Sequence, residues 1–449
     1  MLNKDHRYLK LVKYKNIENW SVSHILGMNM GFNKKYPLIP IGHIIEKSIN
    51  SINIEDHVTY KQITLKINGG GTILRDVKLG KLIGTKKQFV VSAGQFIMSK
   101  IDARNGAFGV IGTDLDGAVV TADFPVFNVV KERVTPEYLT LVSSTAQFVR
   151  FAQTCSRGTT NRQRIDVNLF LSQKIPLPSL SEQQALIKSY NDKIQQAESL
   201  EKQAEQIEKD IDAYLNDELG LNTKHKEVSQ TNNFKYLRFV RFKDVERWDC
   251  KQEKKISGFY KLVPLGRLCL KISTGTTPPT SRKDFFNGNI KFYTPADITD
   301  KVYLDASERY ISEQAVKEKK ARLFYKGDLL FVGIGSTVGK VGIVKDNLVS
   351  ANQQITGITL DNSLIMPEYA FCYMNHNKAI TTAEQSKSTL PIINQDKIAR
   401  IPIPLPPLST QKKIVEYILS QKEKAEQLKQ QAANLRKEAL EKFEKEIFE

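Results

Sequence analysis

Ile175-Pro176-Leu177-Pro178-Ser179-Leu180-Ser181-Glu182-Gln183 runs straight into a long polar helical pattern. The run Ile403-Pro404-Leu405-Pro406-Pro407-Leu408-Ser409-Thr410-Gln411 does the same 228 positions later. Proline fixes φ and pushes its predecessor out of helical space, so each copy predicts an extended strap that ends where a helix begins. Ser181 is the expected N-cap of the first helix, boxed with Gln184, and Ser409 that of the second, where Lys412 breaks the box. A strap and helix closing each half predict two similar domains hung on two similar struts.

The repeat reaches well beyond the straps. The segment from Arg7 to Trp20 matches that from Lys235 to Trp248, again at 228, and places the only two tryptophans at equivalent positions. Alternating apolar and basic residues there predict a half-buried strand, with structural tryptophans. Pro40-Ile41-Gly42 pairs with Pro264-Leu265-Gly266, Gly94–Met98 with Gly327–Phe331, Asn105–Ile111 with Val338–Val344, Val120–Asp123 with Val349–Asn352, and Pro136–Tyr138 with Pro367–Tyr369. The offset drifts between 224 and 233 while the order is kept, the pattern of two homologous domains that differ by loop insertions. Within each, short β runs such as Gln88–Val91 and Leu329–Val332 are punctuated by Asn-Gly turns, with helical pieces after Pro136 and Pro367.

The struts have a seven-residue rhythm. Ala197, Ala204 and Ile211 recur with Leu200, Ile207 and Tyr214 three residues on; Ala425, Ala432 and Ala439 recur with Leu428 and Leu435, until Lys442 breaks the row beside Phe443. Small residues in one row and Leu or Ile in the other predict two helices that pack closely as a coiled coil. Gly220 is the expected stop of the first. About 38 residues at 1.5 Å each predict a rod of roughly 55 Å.

At 449 residues the chain is too long for one ordinary core. Its 41% hydrophobic and 26% charged residues are those of a soluble globular protein, and no apolar run is long enough for a membrane span or a signal peptide. A cytoplasmic protein is expected, because Cys155, Cys250, Cys269 and Cys372 are scattered and read as buried thiols. The formal charge of +17 predicts a polyanionic partner, nucleic acid rather than membrane. The struts do not supply it: residues 183–219 hold 4 Lys against 9 Asp and Glu, and residues 411–449 hold 9 Lys and Arg against 8 Glu. The two globular parts carry the excess.

Catalytic signals are missing. Gly333-Ile334-Gly335-Ser336-Thr337-Val338-Gly339-Lys340 imitates a phosphate loop but has the wrong spacing, and Val341 stands where Ser or Thr is needed. Neither a metal-ligand spacing nor a nucleophile–His–acid set is found. What remains are polar loops suited to DNA. In the first half these hold Lys100, Arg104 and Asn105, then Arg157, Thr159, Thr160, Asn161, Arg162 and Arg164. In the second half they hold Thr274, Thr276, Thr277, Ser281, Arg282 and Lys283, with Lys340, Lys387 and Thr389. Arg suits guanine, Asn and Gln suit adenine, and Thr or a backbone N–H suits phosphate.

These straps, together with Gly158–Gln163, Phe124-Pro125-Val126-Phe127, Ser273–Pro279 and the Lys326-Gly327-Asp328 block leading to Lys340, resemble the specificity subunits of Type I restriction–modification enzymes over almost the whole chain. The resemblance implies an α+β fold with two tandem homologous mixed α/β target recognition domains, each followed by a long helix, the two helices packing as an antiparallel coiled coil. It implies a first recognition domain at 1–178, a central helix at 179–220, a linker at 221–234, a second recognition domain at 235–406 and a C-terminal helix at 407–449. It further implies a non-catalytic chain without its own cofactor that reads a bipartite duplex and seats two methyltransferase subunits. S-adenosylmethionine is expected on those partners, and restriction motor-nuclease subunits are a further possible partner. From sequence, other readings stay open: a specificity subunit of another restriction class, a stand-alone DNA-binding scaffold, or a nuclease with an unrecognised site.

Overall fold

The computed structural model describes residues 35–157, 164–221, 258–383, 385 and 391–448. The segments 7–20 and 235–248 with their tryptophans, Cys250, and the expected linker beyond Leu221 lie outside the described residues. By compactness the chain divides into one unit of Met1–Glu201 with Lys429–Glu449 and another of Lys202–Leu428. Each is a mixed α/β body with a long helical segment against it.

The first unit is built on a four-stranded sheet in the order Ile45–Lys47, Val126–Val129, Phe96–Met98, Phe108–Val110, antiparallel throughout. Phe96, Ile97 and Met98 are all fully buried, so this strand is covered on both faces. Alternation sends Phe96 and Met98 into a core with Phe108, Phe127, Tyr138, Phe148 and Phe170, while Ile97 joins Val91, Ile111 and Val126 on the other side. A second sheet, ordered Ser51–Asn53, Lys87–Val90, Val119–Val120, Thr59–Leu65, Thr72–Leu79, completes the unit.

The second unit repeats this plan. Its sheet runs Cys269–Thr274, Ile355–Leu360, Leu329–Val332, Val341–Val344, the same antiparallel order, with Tyr303–Leu304 added in parallel at the edge. Leu329 and Phe331 face one core, Leu330 and Val332 the other. The second sheet again sets a parallel pair, Ile290–Tyr293 on Leu348–Ala351, beside an antiparallel neighbour, Leu323–Tyr325. The seven-residue and eight-residue strands of the Thr59–Leu79 hairpin are the main departure of the first unit from this plan.

Each strap is fastened in the same way. Leu38–Pro40 pairs antiparallel with Lys174–Pro176, and Leu262–Pro264 with Pro402–Pro404. The buried Tyr138 hydroxyl donates to the Pro176 carbonyl at 3.0 Å, and Tyr369 does so to Pro404 at 2.7 Å. Gln183 is fully buried in the first turn of its helix. Its Oε1 accepts from the Thr135 N–H at 2.9 Å, and its Nε2 donates to the carbonyls of Arg133 and Pro178, both at 2.9 Å. Gln411 does the same with Met366 N–H at 2.9 Å and with the carbonyls of Leu364 and Pro406 at 3.0 and 2.9 Å. Removing either carboxamide would leave a buried proline carbonyl without this partner, at about 1–3 kcal/mol, and free two part-buried backbone groups. The glutamine that closes both sequence motifs is therefore a weld between a domain and its helix.

The long helices span Leu180–Leu219 and Leu408–Phe448. Both expected caps fall elsewhere. Ser181 lies inside the first helix, and the N-cap is Ser179, whose Oγ accepts from Glu182 N–H at 3.4 Å while the Glu182 carboxylate accepts from Ser179 N–H at 2.9 Å. A carboxylate three residues after a serine completes the box better than Gln184 does after Ser181, because the helix start attracts negative charge. The hydrogen bonds from the Ser179 hydroxyl and backbone hold the Glu182 carboxyl below its usual range. In the second helix Ser409 sits in the first turn, and the Pro407 carbonyl accepts from Thr410 and Gln411 at 2.9 and 3.0 Å. Gly220, at φ +63°, ends the first helix, with Leu221 N–H returning to the Asn216 carbonyl at 2.8 Å.

Helix packs on helix in antiparallel order within each unit. In the first, Lys442 reaches Ser189 at 3.1 Å, Lys193 reaches Glu438 at 2.8 Å and Arg436 clasps Glu201 at 2.9 and 3.1 Å, over buried Ala197, Ala432 and Ala439. Leu200 and Leu435 are half-buried beside them. Phe443 fills the place next to Lys442 and packs edge-on against Tyr138, centroids 6.0 Å apart. In the second, Ala204, Ile211 and Ala425 are buried, Ile207 and Leu428 half-buried, and Tyr214 lies 3.9 Å from Tyr417. Alanine in the buried row lets two backbones approach closely, while exposed pairs such as Arg436–Glu201 are screened by solvent and add little.

Candidate nucleic-acid interface

In the first unit the structure gathers part of the predicted set. Lys100–Asn105 is a tight turn in which Lys100 N–H donates to the Asp123 carbonyl at 2.8 Å and the Lys100 carbonyl accepts from Ile165 N–H at 2.9 Å. Arg164 then pairs with the Asp123 carboxylate at 2.9 Å, both side chains well exposed. Lys100 and Arg164 thus lie on adjacent stretches of chain, the first tied to the Asp123 backbone and the second to the Asp123 carboxylate. The backbone of Arg104 is braced by Gln153, whose Nε2 donates to its carbonyl at 2.9 Å. Asn105 is exposed, and its carbonyl accepts from Asn68 N–H at 2.7 Å. Gly106 follows at φ +79°, where a Cβ would meet the Gly69 nitrogen and Val149 at 3.1 Å, so this turn closes only on glycine. The Asn68-Gly69-Gly70-Gly71 tip of the long hairpin is thereby docked against Asn105 and Gly106. Strands Ser156–Arg157 and Arg164–Ile165 pair antiparallel. Thr159, Thr160, Asn161, Arg162 and the side chain of Arg157 lie outside the described residues.

The second unit distributes its set differently. Arg282 is held by Asp284 at 2.6 Å and Glu318 at 3.2 Å, with its guanidinium 4.2 Å over the Phe285 ring. The hydrogen bonds to Asp284 and Glu318 keep it protonated well beyond the ordinary range. It is ion-paired on the surface, with 47% of its side chain exposed. Ser281 and Lys283 are exposed beside it. Residues 333–340 join the antiparallel strands Leu329–Val332 and Val341–Val344 instead of leading from strand to helix, so no phosphate loop exists there. Lys340 is half-buried at the end of this turn, its N–H donating to the Thr337 carbonyl at 3.2 Å. Thr276 hangs its N–H on the Ala351 carbonyl at 3.0 Å, and Thr277 hydrogen-bonds Gln353. Lys387 and Thr389 lie outside the described residues.

Thr274 leads to residues that charge-based reading passes over. It lines a cleft of about 360 Å³ with Gln353, Gln354, Thr356, Asn394 and Gln395, and with Ile334, Ile392 and Asp396 at its wall. Gln395 Nε2 donates to Thr274 Oγ1 at 2.7 Å, and Thr274 and Thr356 hydroxyls stand 3.3 Å apart. The buried Asn352 side chain donates to Gln354 Oε1 and accepts from Gln354 N–H, both at 3.0 Å. Asn394 Oδ1 caps the short helix Gln395–Ala399 through Lys397 N–H at 3.0 Å. The signal was present in the sequence as Asn352-Gln353-Gln354 and Asn394-Gln395, two uncharged amide clusters about 40 residues apart.

Nucleophilic and metal chemistry find no support among the described residues. Burial pushes Cys155, Cys269 and Cys372 up to about 12, so they are thiols at neutral pH. No group of His, Cys, Asp and Glu among the described residues is arranged to hold a metal ion, and no described helix is long and apolar enough to cross a membrane.

Comparison with known proteins agrees with the architecture. Residues 257–437 match the family described as Type I restriction modification DNA specificity domain. The chain is similar to the Type I restriction enzyme MjaIX specificity subunit of Methanocaldococcus jannaschii, 30% identical over 203 residues, which are 44% of this chain and 43% of the relative. It is also similar to the EcoR124I/EcoR124II specificity subunit of Escherichia coli, 25% identical over 148 residues, 32% of this chain and 36% of the relative. The matched regions thus span less than half the length of these curated relatives. A solved chain from a study of complex assembly in the type I R-M system shares the fold, with a TM-score of 0.57 at 18% identity over 92% of this chain and 98% of that one. Residues 257–437 thus match a Type I restriction modification DNA specificity domain, and the sheet plan of that region is repeated in the first unit.

Proposed function

We propose that the chain is the DNA-reading subunit of a Type I restriction–modification complex. Each unit reads one half of a bipartite duplex, and the paired long helices set the unspecified gap and seat the protein partners. The observation that supports this most is the duplication itself: two bodies with one sheet order, each welded to a long helix by an equivalent buried glutamine. One DNA-reading body contacts one groove segment, so two of them call for two half-sites. The charge supports the division of labour, since the excess of +17 sits outside the helices.

The DNA-contacting set we propose is Lys100, Arg104, Asn105, Arg157, Thr159, Thr160, Asn161, Arg162 and Arg164 in the first half. In the second it is Thr274, Thr276, Thr277, Ser281, Lys283, Lys340, Lys387 and Thr389, with Arg282 as a support rather than a contact. The chain itself does no bond-breaking; two methyltransferase subunits supply adenine methylation with S-adenosylmethionine, and motor-nuclease subunits are the further partner of a restricting complex. Mapping methylated adenines in the host genome, with and without this chain, tests the assignment. A two-part motif should be present with it and absent without it; unchanged methylation would refute the reading.

A further inference from the structure

We propose that the carboxamide cleft of the second unit reads one A·T base pair of its half-site. The inference rests on the DNA-reading function above and goes beyond it by assigning a base pair to residues outside the basic loops.

Among the described residues no Lys or Arg lines the cleft, so those side chains form neither a phosphate cradle nor an arginine fork for guanine. Its lining offers both a donor and an acceptor. Gln354 has Oε1 committed to Asn352, which leaves Nε2 as a donor; Gln395 has Nε2 committed to Thr274, which leaves Oε1 as an acceptor. Adenine presents the complement in the major groove, an N7 acceptor next to an N6 donor. Guanine offers two acceptors there, so its O6 would face the Gln395 carbonyl without a hydrogen. Ile392, 39% exposed at the same wall, supplies the apolar contact that a thymine methyl takes.

The amides are also preorganised. Asn352 is buried and bonded to Gln354 twice, and Thr274 is braced by Thr356, so little ordering remains when a base arrives.

The test uses the full chain and duplexes carrying its selected site, varied one pair at a time. One half-site position should demand A·T. There, 7-deazaadenine, which lacks the N7 acceptor, should weaken binding by about tenfold or more, and uracil for thymine by a smaller factor. Gln354→Ala and Gln395→Ala should bring all four pairs at that one position to within a few-fold of each other while every other position keeps its preference. Folded variants that retain the full preference at every position would overturn the proposal, as would a relaxed position that is G·C. The base analogues act on the unaltered chain, so the proposal stays testable if a variant fails to fold. Absence of any base preference in the unaltered chain would overturn the DNA-reading function itself.

Discussion

Removing one heptad from each long helix, residues 202–208 and 421–427, should shorten the unspecified gap of the recognised site and leave the bases of both half-sites unchanged. Seven residues shorten a helix by about 10.5 Å. At about 3.4 Å per base pair this is at most about three base pairs, an upper bound because the duplex also turns as it shortens. Seven residues are within about 20° of two full turns, so buried Ala197 stays in line with Ile211 across the first cut and Ile418 with Ala432 across the second. The two stretches are chosen as partners in the antiparallel order that places Tyr214 on Tyr417 in the second unit. The effect is all-or-none at the level of the site: duplexes with the old gap should be lost and duplexes with a shorter gap gained. Determining the preferred gap for both proteins checks it. An unchanged gap with altered bases would contradict the role given to the helices.

Affinity for DNA should fall by about 10³–10⁵ between 50 and 200 mM salt, the range for six to ten phosphate contacts. The net charge of +17 motivates the expectation, and its placement sharpens it. Charge reversal at Lys100 or Lys340 should flatten the log–log slope by about one each, whereas reversal of exposed helix residues such as Lys209 or Lys437 should leave it unchanged. A slope near zero, or one governed by the helix lysines, would move the DNA away from the globular units.

Much of the architecture was legible because it is local or repeated. Proline runs force straps, heptads of alanine force a close helical seam, and two copies of each leave little freedom. The cap was misread by two residues because Ser179 and Ser181 are both able caps, and only the reach of Glu182 back to Ser179 separates them. Sheet order was not legible: Val126–Val129 lies between Ile45–Lys47 and Phe96–Met98, pairings fixed by packing across about 80 and 30 residues of chain. The roles of Gln183 and Gln411 were hidden for the same reason, since their partners at Thr135 and Met366 lie 48 and 45 residues away. Among site residues, charge drew attention to Arg282, which the fold uses to hold Asp284 and Glu318. It drew none to Gln354 and Gln395, which line one cleft with Thr274 only once the sheet is formed.

The most direct test of a two-unit reader is selection of bound duplexes from a randomised library by the full chain. Two short fixed blocks separated by a constant, unspecified gap are the predicted result. A single continuous block, or no enriched sequence at all, would contradict the account.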